Sequence, residues 1–80
     1  MIYYVVLYLW QRDYETDVEV LGIKSSMEEA KALLAIKKKE LKKDTKERGW
    51  KIYEDSSRHY EAVYPDEGDC DNLWIKIVRE

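Results

Sequence analysis

One cysteine and one histidine in the whole chain exclude a good deal. Cys70 has no second cysteine to pair with, and no Cys/His set has zinc-ligand spacing. Neither a disulfide framework nor a structural metal is therefore expected to hold the fold, and a reducing, cytoplasmic setting follows. The three glycines, Gly22, Gly49 and Gly68, stand apart from one another, which leaves no glycine-rich phosphate loop. The longest apolar run, Met1 to Trp10, is about half of what a membrane helix needs, lacks a preceding basic residue and is followed by Gln11-Arg12-Asp13. No membrane span and no signal peptide are expected.

Catalysis has as little to stand on. His59 lies beside Arg58 at the start of an expected strand, a place that suits a surface or cross-strand role better than general-base work. Cys70 sits between Asp69 and Asp71, whose charges raise the thiol pKa and suppress the thiolate that nucleophilic chemistry requires. The acidic stretch Asp66-Glu67-Gly68-Asp69-Cys70-Asp71-Asn72 fails the calcium-loop pattern, because Leu73 stands where an oxygen ligand belongs and no glutamate closes the loop. The expectation is no enzyme, no cofactor and no metal.

What is present is a single α+β domain over residues 1–80, of a size that buries roughly 60 to 65% of the surface its unfolded chain exposes. Ile2 to Trp10 is rich in β-branched and aromatic residues and reads as a strand. Polar Gln11 to Asp17 reads as a connection to a second strand from Val18, with a bulge or bend near Gly22. Ser25-Ser26-Met27-Glu28-Glu29 holds two overlapping capping boxes, Ser25 with Glu28 or Ser26 with Glu29, so a helix is expected from about Ser26 to Arg48. Met27, Ala30, Leu33, Leu34 and Leu41 form its apolar stripe, and Gly49 is placed to be the left-handed residue after the last turn. Trp50 to Glu54 and His59 to Tyr64 read as a second hairpin around Asp55 to Arg58, and Leu73 to Arg79 as the last strand. The order β-β-α-β-β-β predicts a two-layer sandwich, a mainly antiparallel sheet with one long helix on one face.

The Tyr/Val-rich first strand, the charged hairpin and the run Val20-Leu21-Gly22-Ile23-Lys24-Ser25-Ser26-Met27-Glu28-Glu29-Ala30 together resemble a group of small uncharacterised bacterial and phage-encoded proteins. In those, a leucine-glycine-aliphatic step enters a Ser-Ser-x-Glu-x-Ala helix start in the same way. The likeness spans roughly residues 2 to 36. It implies a cytoplasmic protein, in the host cell if phage-encoded, and supplies no catalytic residue.

The functional question is what covers the first strand. Its odd residues Tyr3, Val5, Leu7 and Leu9 look the smoother partner for the helix stripe, which leaves the even residues Tyr4, Val6, Tyr8 and Trp10 on the other side of the sheet. With Trp74, and with Tyr60 or Tyr53, they are expected to form an aromatic surface larger than a monomer usually exposes. Four covers suit it: the chain's own loop or ends, a second copy in a homodimer, a different protein, or stacked nucleic-acid bases. Lys37 to Arg48 carries a local charge of +4 against −7 for the rest, so Lys38, Lys42, Lys43 and Lys46 are the candidate phosphate contacts. The net charge of −3 and the acidic neighbours of the aromatic face place nucleic acid behind protein as a partner. The expected function is a small non-enzymatic protein-binding module acting by surface occlusion through Tyr4, Tyr8, Trp10, Tyr60 and Trp74, or through Asp66, Glu67, Asp69 and Asp71. With the resemblance, that becomes a phage inhibitor of a host or defence protein.

Overall fold

The computed structural model describes residues 1–64 and 68–80. Its elements are β1 (Ile2–Arg12), β2 (Glu15–Lys24), α1 (Met27–Arg48), β3 (Lys51–Asp55), β4 (His59–Val63) and β5 (Cys70–Arg79). The strands form one antiparallel sheet in the order β2-β1-β5-β4-β3, with α1 packed on one face. The α+β sandwich read from the sequence is the observed fold. β1 is an interior strand: Tyr4 to Gln11 pair on both sides, with β2 and with β5.

Two stretches expected as loops are partly strand. Gln11 to Asp17 is mostly ladder rather than loop: Arg12 pairs with Glu15, and only Asp13 and Tyr14 turn the chain. Aspartate tolerates the left-handed backbone that so short a turn needs, and Asp13 takes φ 54°. Its N–H donates to Asp69 Oδ1 at 2.9 Å. Strand β5 begins at Cys70 rather than Leu73, because Cys70, Asp71 and Asn72 pair with Gln11, Trp10 and Leu9. Their polarity suggested a loop, but the groups that satisfy them come from distant strands.

Helix α1 follows its signals closely. Ser26 is the N-cap, accepting from the Glu29 N–H at 3.2 Å, while the Ser26 hydroxyl donates to Glu29 Oε1 at 3.1 Å. Of the two expected capping boxes, the Ser26–Glu29 pair is used and half formed: Ser26 caps the Glu29 N–H, while the Glu29 carboxylate accepts from the Ser25 and Ser26 hydroxyls. Gly49 ends the helix in the left-handed region at φ 71°. Ala30, Leu34 and Leu41 of the apolar stripe are buried, and Leu33 packs against them.

Near the start of α1 the helix comes close to β2. The register of β2 shifts between its partners Val6 and Leu7, leaving Leu21 as the extra, bulged residue. Gly22 then faces the helix, where a Cβ would stand 2.7 Å from Leu33 Cδ2. The missing side chain at Gly22 is what lets Leu33 seat there.

The core reverses the expected sides of β1. Val6 and Tyr8 are buried with Leu73, Tyr60 and Ala62 beneath Leu34 and Leu41, and Tyr4 and Trp10 pack against that cluster. The even residues therefore face the helix, and the odd set Tyr3, Val5, Leu7 and Leu9 faces away. The reason lies in the register. Even positions of β1 stand opposite Ile77, Ile75 and Leu73, whereas odd positions stand opposite Val78, Lys76, Trp74 and Asn72. Burying the second lane under a helix would desolvate Lys76 and Asn72, whereas the one charge of the first lane, Asp71 opposite Trp10, is paired with Arg12.

Candidate functional site

Two regions concentrate chemistry, one inside the core and one on the open face. Inside, Asp71 is 1% exposed at the start of β5, directly opposite Trp10. The Tyr8 hydroxyl donates to Asp71 Oδ1 at 2.7 Å, and Arg12 Nη2 forms an ion pair with the same oxygen at 2.7 Å. Arg12 Nη1 donates to the carbonyls of Gln11 and Cys70, both at 2.9 Å, and the guanidinium lies 4.5 Å over the Trp50 ring. Burial, followed by the Asp71 hydrogen bond, pushes the Tyr8 phenol far above its ordinary pKa. Among the described residues no buried side-chain nitrogen or oxygen lacks a partner. Tyr8 and Arg12 thus converge on one oxygen of a buried carboxylate, which ties the end of β5 to β1.

Cys70 belongs to the same end of the sheet. Its thiol is pushed up, first by burial, then by Asp71 and Glu61. The direction matches the sequence argument, although burial contributes more than the flanking aspartates. Tyr60, fully buried, shares a hydrogen bond of 2.8 Å with the Thr45 hydroxyl. Thr45 lies between Asp44 and Lys46, four residues after Leu41 and so on the same helical stripe; its polarity, not its spacing, kept it out of the expected core.

The open face is built by register. Row by row, Leu7 stands between Val20 and Trp74 with His59 beyond, and Leu9 stands between Val18 and Asn72 with Glu61 beyond. Val5 stands between Ile23 and Lys76. The face is therefore divided. Its β2-β1 side is apolar, and Val18, Val20 and Ile23 are 48%, 59% and 63% exposed. Its β4 side is polar, with His59 Nε2 donating to Asn72 Oδ1 at 2.9 Å. Two shallow cavities indent it. One of about 310 Å³ is lined by Tyr3, Val5, Ile23, Val78 and Glu80, and one of about 470 Å³ by Arg58, His59, Asn72, Trp74 and Ile75.

The residues singled out from the sequence scatter accordingly. Tyr8 and Tyr60 lie under the helix at 7% and 0% exposure, and Tyr4 and Trp10 pack against the same core, so these four do not form the open surface. Only Trp74 lies on it. Asp71 is likewise buried, held by Arg12 and Tyr8, while Asp69 is half-buried and accepts from the Asp13 N–H. Asp66 and Glu67 lie outside the described residues. Lys38 and Lys42 both reach Asp55, Lys38 at 3.0 Å, and together they hold that carboxyl below its usual range. Lys43 and Lys46 are exposed. The lysines sit on α1, on the opposite side of the sheet from Trp74 and Leu7, and the aromatics beneath the helix are buried. The lysines and the sheet aromatics expected to join them are therefore not brought together; the aromatic beside Lys42 and Lys46 is Trp50, with which they line a cavity of about 450 Å³.

No described helix is long and apolar enough to cross a membrane, and no group of three or more described His, Cys, Asp or Glu residues is placed to hold a metal ion. The architecture is that of a small two-layer α+β domain with one helix-covered and one open sheet face. Comparison with known proteins finds no matching family model, no similar curated protein and no similar solved structure.

Proposed function

We propose that this chain is a small non-enzymatic protein-binding module that docks a partner on the open face of its sheet and acts by occluding the surface it covers. The observation that carries the reading is the continuous apolar lane of Val18, Val20 and Ile23 beside Leu9, Leu7 and Val5, with Trp74 next to Leu7. An interface core is where aromatic and aliphatic anchors of this kind contribute most. The buried polar cluster supports a binding role over a catalytic one, because Tyr8 and Arg12 are both committed to Asp71 Oδ1. A cytoplasmic setting, and inhibition of a host or defence protein as the outcome of occlusion, belong to the same proposal. The single free thiol of Cys70 and the likeness of residues 2 to 36 to phage-encoded proteins support them.

The test is capture from a cell extract with three baits: the native chain, Leu7→Lys and Lys43→Glu. Leu7 is central to the open face, whereas Lys43 is exposed on the helix. A partner retained by the native chain and by Lys43→Glu but lost with folded Leu7→Lys is the expected result. Equal capture by all three sinks the reading, and loss with Lys43→Glu alone moves the site to the helix.

A further inference from the structure

The sheet has two edges, and they are managed differently. Strand β3 has five residues and is broken by a register shift between Ile52 and Glu54, features that discourage further pairing. Strand β2 has ten residues, and its ladder with β1 is regular from Glu15 to Val20. Counted from the two-residue turn that pairs Arg12 with Glu15, the alternation of hydrogen-bonded and open pairs turns the Val18 N–H away from β1. That N–H donates to Asp17 Oδ1 at 2.8 Å. By the alternation of an antiparallel strand, Thr16 and Val20 turn their N–H and C=O groups to the same open edge.

Side chains along that edge fall into two lanes of opposite character. Thr16, Val18 and Val20 continue the open apolar face, while Glu15, Asp17 and Glu19 line the other side. All three carboxylates are exposed, and among the described residues none has an ion-pair partner. A strand added at this edge sets its own alternate side chains about 5 Å from these two lanes. A second copy of β2 does not suit it: any two-fold antiparallel pairing of β2 with itself lays the acidic lane against an identical acidic lane.

We propose that the β2 edge pairs with an extended segment of a partner protein in which cationic residues alternate with apolar ones. The cations lie against Glu15, Asp17 and Glu19, and the apolar residues extend the lane of Val18 and Val20. The lysine or arginine facing Asp17 draws its carboxylate off the Val18 N–H, freeing that donor for the incoming backbone. Pairing of this kind takes affinity from main-chain hydrogen bonds and selectivity from the alternating side chains. The proposal rests on the protein-binding reading and names the chemistry of the partner.

The test uses a nine-residue peptide alternating lysine with valine, titrated into the labelled chain to 1 mM and followed by NMR and amide exchange. Slowed exchange at Thr16, Val18 and Val20 is expected, with binding that weakens as salt is raised. Three comparisons decide the mode. The same composition in two blocks, lysines then valines, and a glutamate-valine peptide should each bind at least tenfold more weakly. The double variant Asp17→Lys, Glu19→Lys, checked for native circular dichroism, should lose at least tenfold for the lysine peptide. Val18→Pro, which removes an N–H that β1 does not use, should do the same. No binding at 1 mM, equal binding of the block peptide, or unchanged exchange at the three amides overturns the proposal. Loss of the captured partner with Leu7→Lys but not with Val18→Pro leaves the open-face reading standing and removes the edge.

Discussion

Leu7 and Tyr8 are neighbours on one strand, yet they serve opposite sides of the molecule. Tyr8 lies in the core beneath α1, with Lys37 Nζ 4.8 Å over its ring and Asp71 on its hydroxyl, while Leu7 is half-buried between Val20 and Trp74 with no helix above it. The two lanes of β1 are similarly apolar, so hydrophobicity alone does not separate them. What separates them is the company each keeps on β5 and β2. The difference teaches that a central strand can look fully buried in sequence while half of its apolar surface is offered outward.

The comparison predicts its own largest effect. Tyr8→Ala removes a buried ring and one of the two hydrogen bonds to Asp71 Oδ1, and should cost about 3 to 5 kcal/mol in urea unfolding. Leu7→Ala, one residue away, should cost about 1 kcal/mol, since less of its surface leaves water on folding. If the two losses are equal or reversed, the assignment of core and open lanes is wrong.

The polar cluster sharpens the comparison further. Asp71→Ala strips Arg12 and Tyr8 of a shared partner, leaving a guanidinium half sequestered over Trp50. A cost of about 2 to 3 kcal/mol is expected, less than for a fully buried pair because Arg12 keeps 30% of its side chain in water. No position on the open face, Asn72 included, should approach that value.

Alkaline pH probes the same side. The folded chain raises the Tyr8 phenol well above its ordinary value, chiefly by burial, and raises that of Tyr60 for the same first reason. Stability from these groups is complete below about pH 10, where the unfolded phenols are still protonated, and is lost as pH rises above that value. Unfolding free energy should fall by on the order of 1 kcal/mol per pH unit above pH 10. Tyr8→Phe should flatten part of the slope, whereas a slope unchanged by that variant removes Tyr8 as its source.

Much of this structure was legible in the chain. The N-cap at Ser26, the stripe of Ala30, Leu34 and Leu41 and the left-handed Gly49 are local signals, and each is realised where its spacing implies. The side of β1 that the helix takes is not local. It is decided by Ile75 and Leu73 lying opposite Val6 and Tyr8, and by Lys76 and Asn72 lying opposite Val5 and Leu9. Lys76 and Asn72 share a lane with Trp74, so the outward side of β5 was readable; its register against β1 was not. Asp71 was hidden for a related reason: its partners lie 59 and 63 residues away, and an aspartate near other acids looks solvated until Arg12 is placed beside it. Gly22 offered a signal that was read only as a bend, whereas its lack of a side chain also marks where Leu33 closes on the sheet.

The smallest stability effect should accompany the largest functional one. Val20 is 59% exposed and points away from the core, so Val20→Lys should change unfolding free energy by no more than about 0.5 kcal/mol. It nevertheless places a charge in the centre of the apolar lane, where a docked partner would have to desolvate it, and binding should fall by tenfold or more. In the core, a side chain's contribution to folding measures its importance; on the open face the two quantities come apart. A Val20→Lys chain that folds normally and still holds its partner shows that this lane is only the exposed side of a strand. One that folds normally and releases it marks the odd residues of β1 and their β2 neighbours as surface kept apolar for binding.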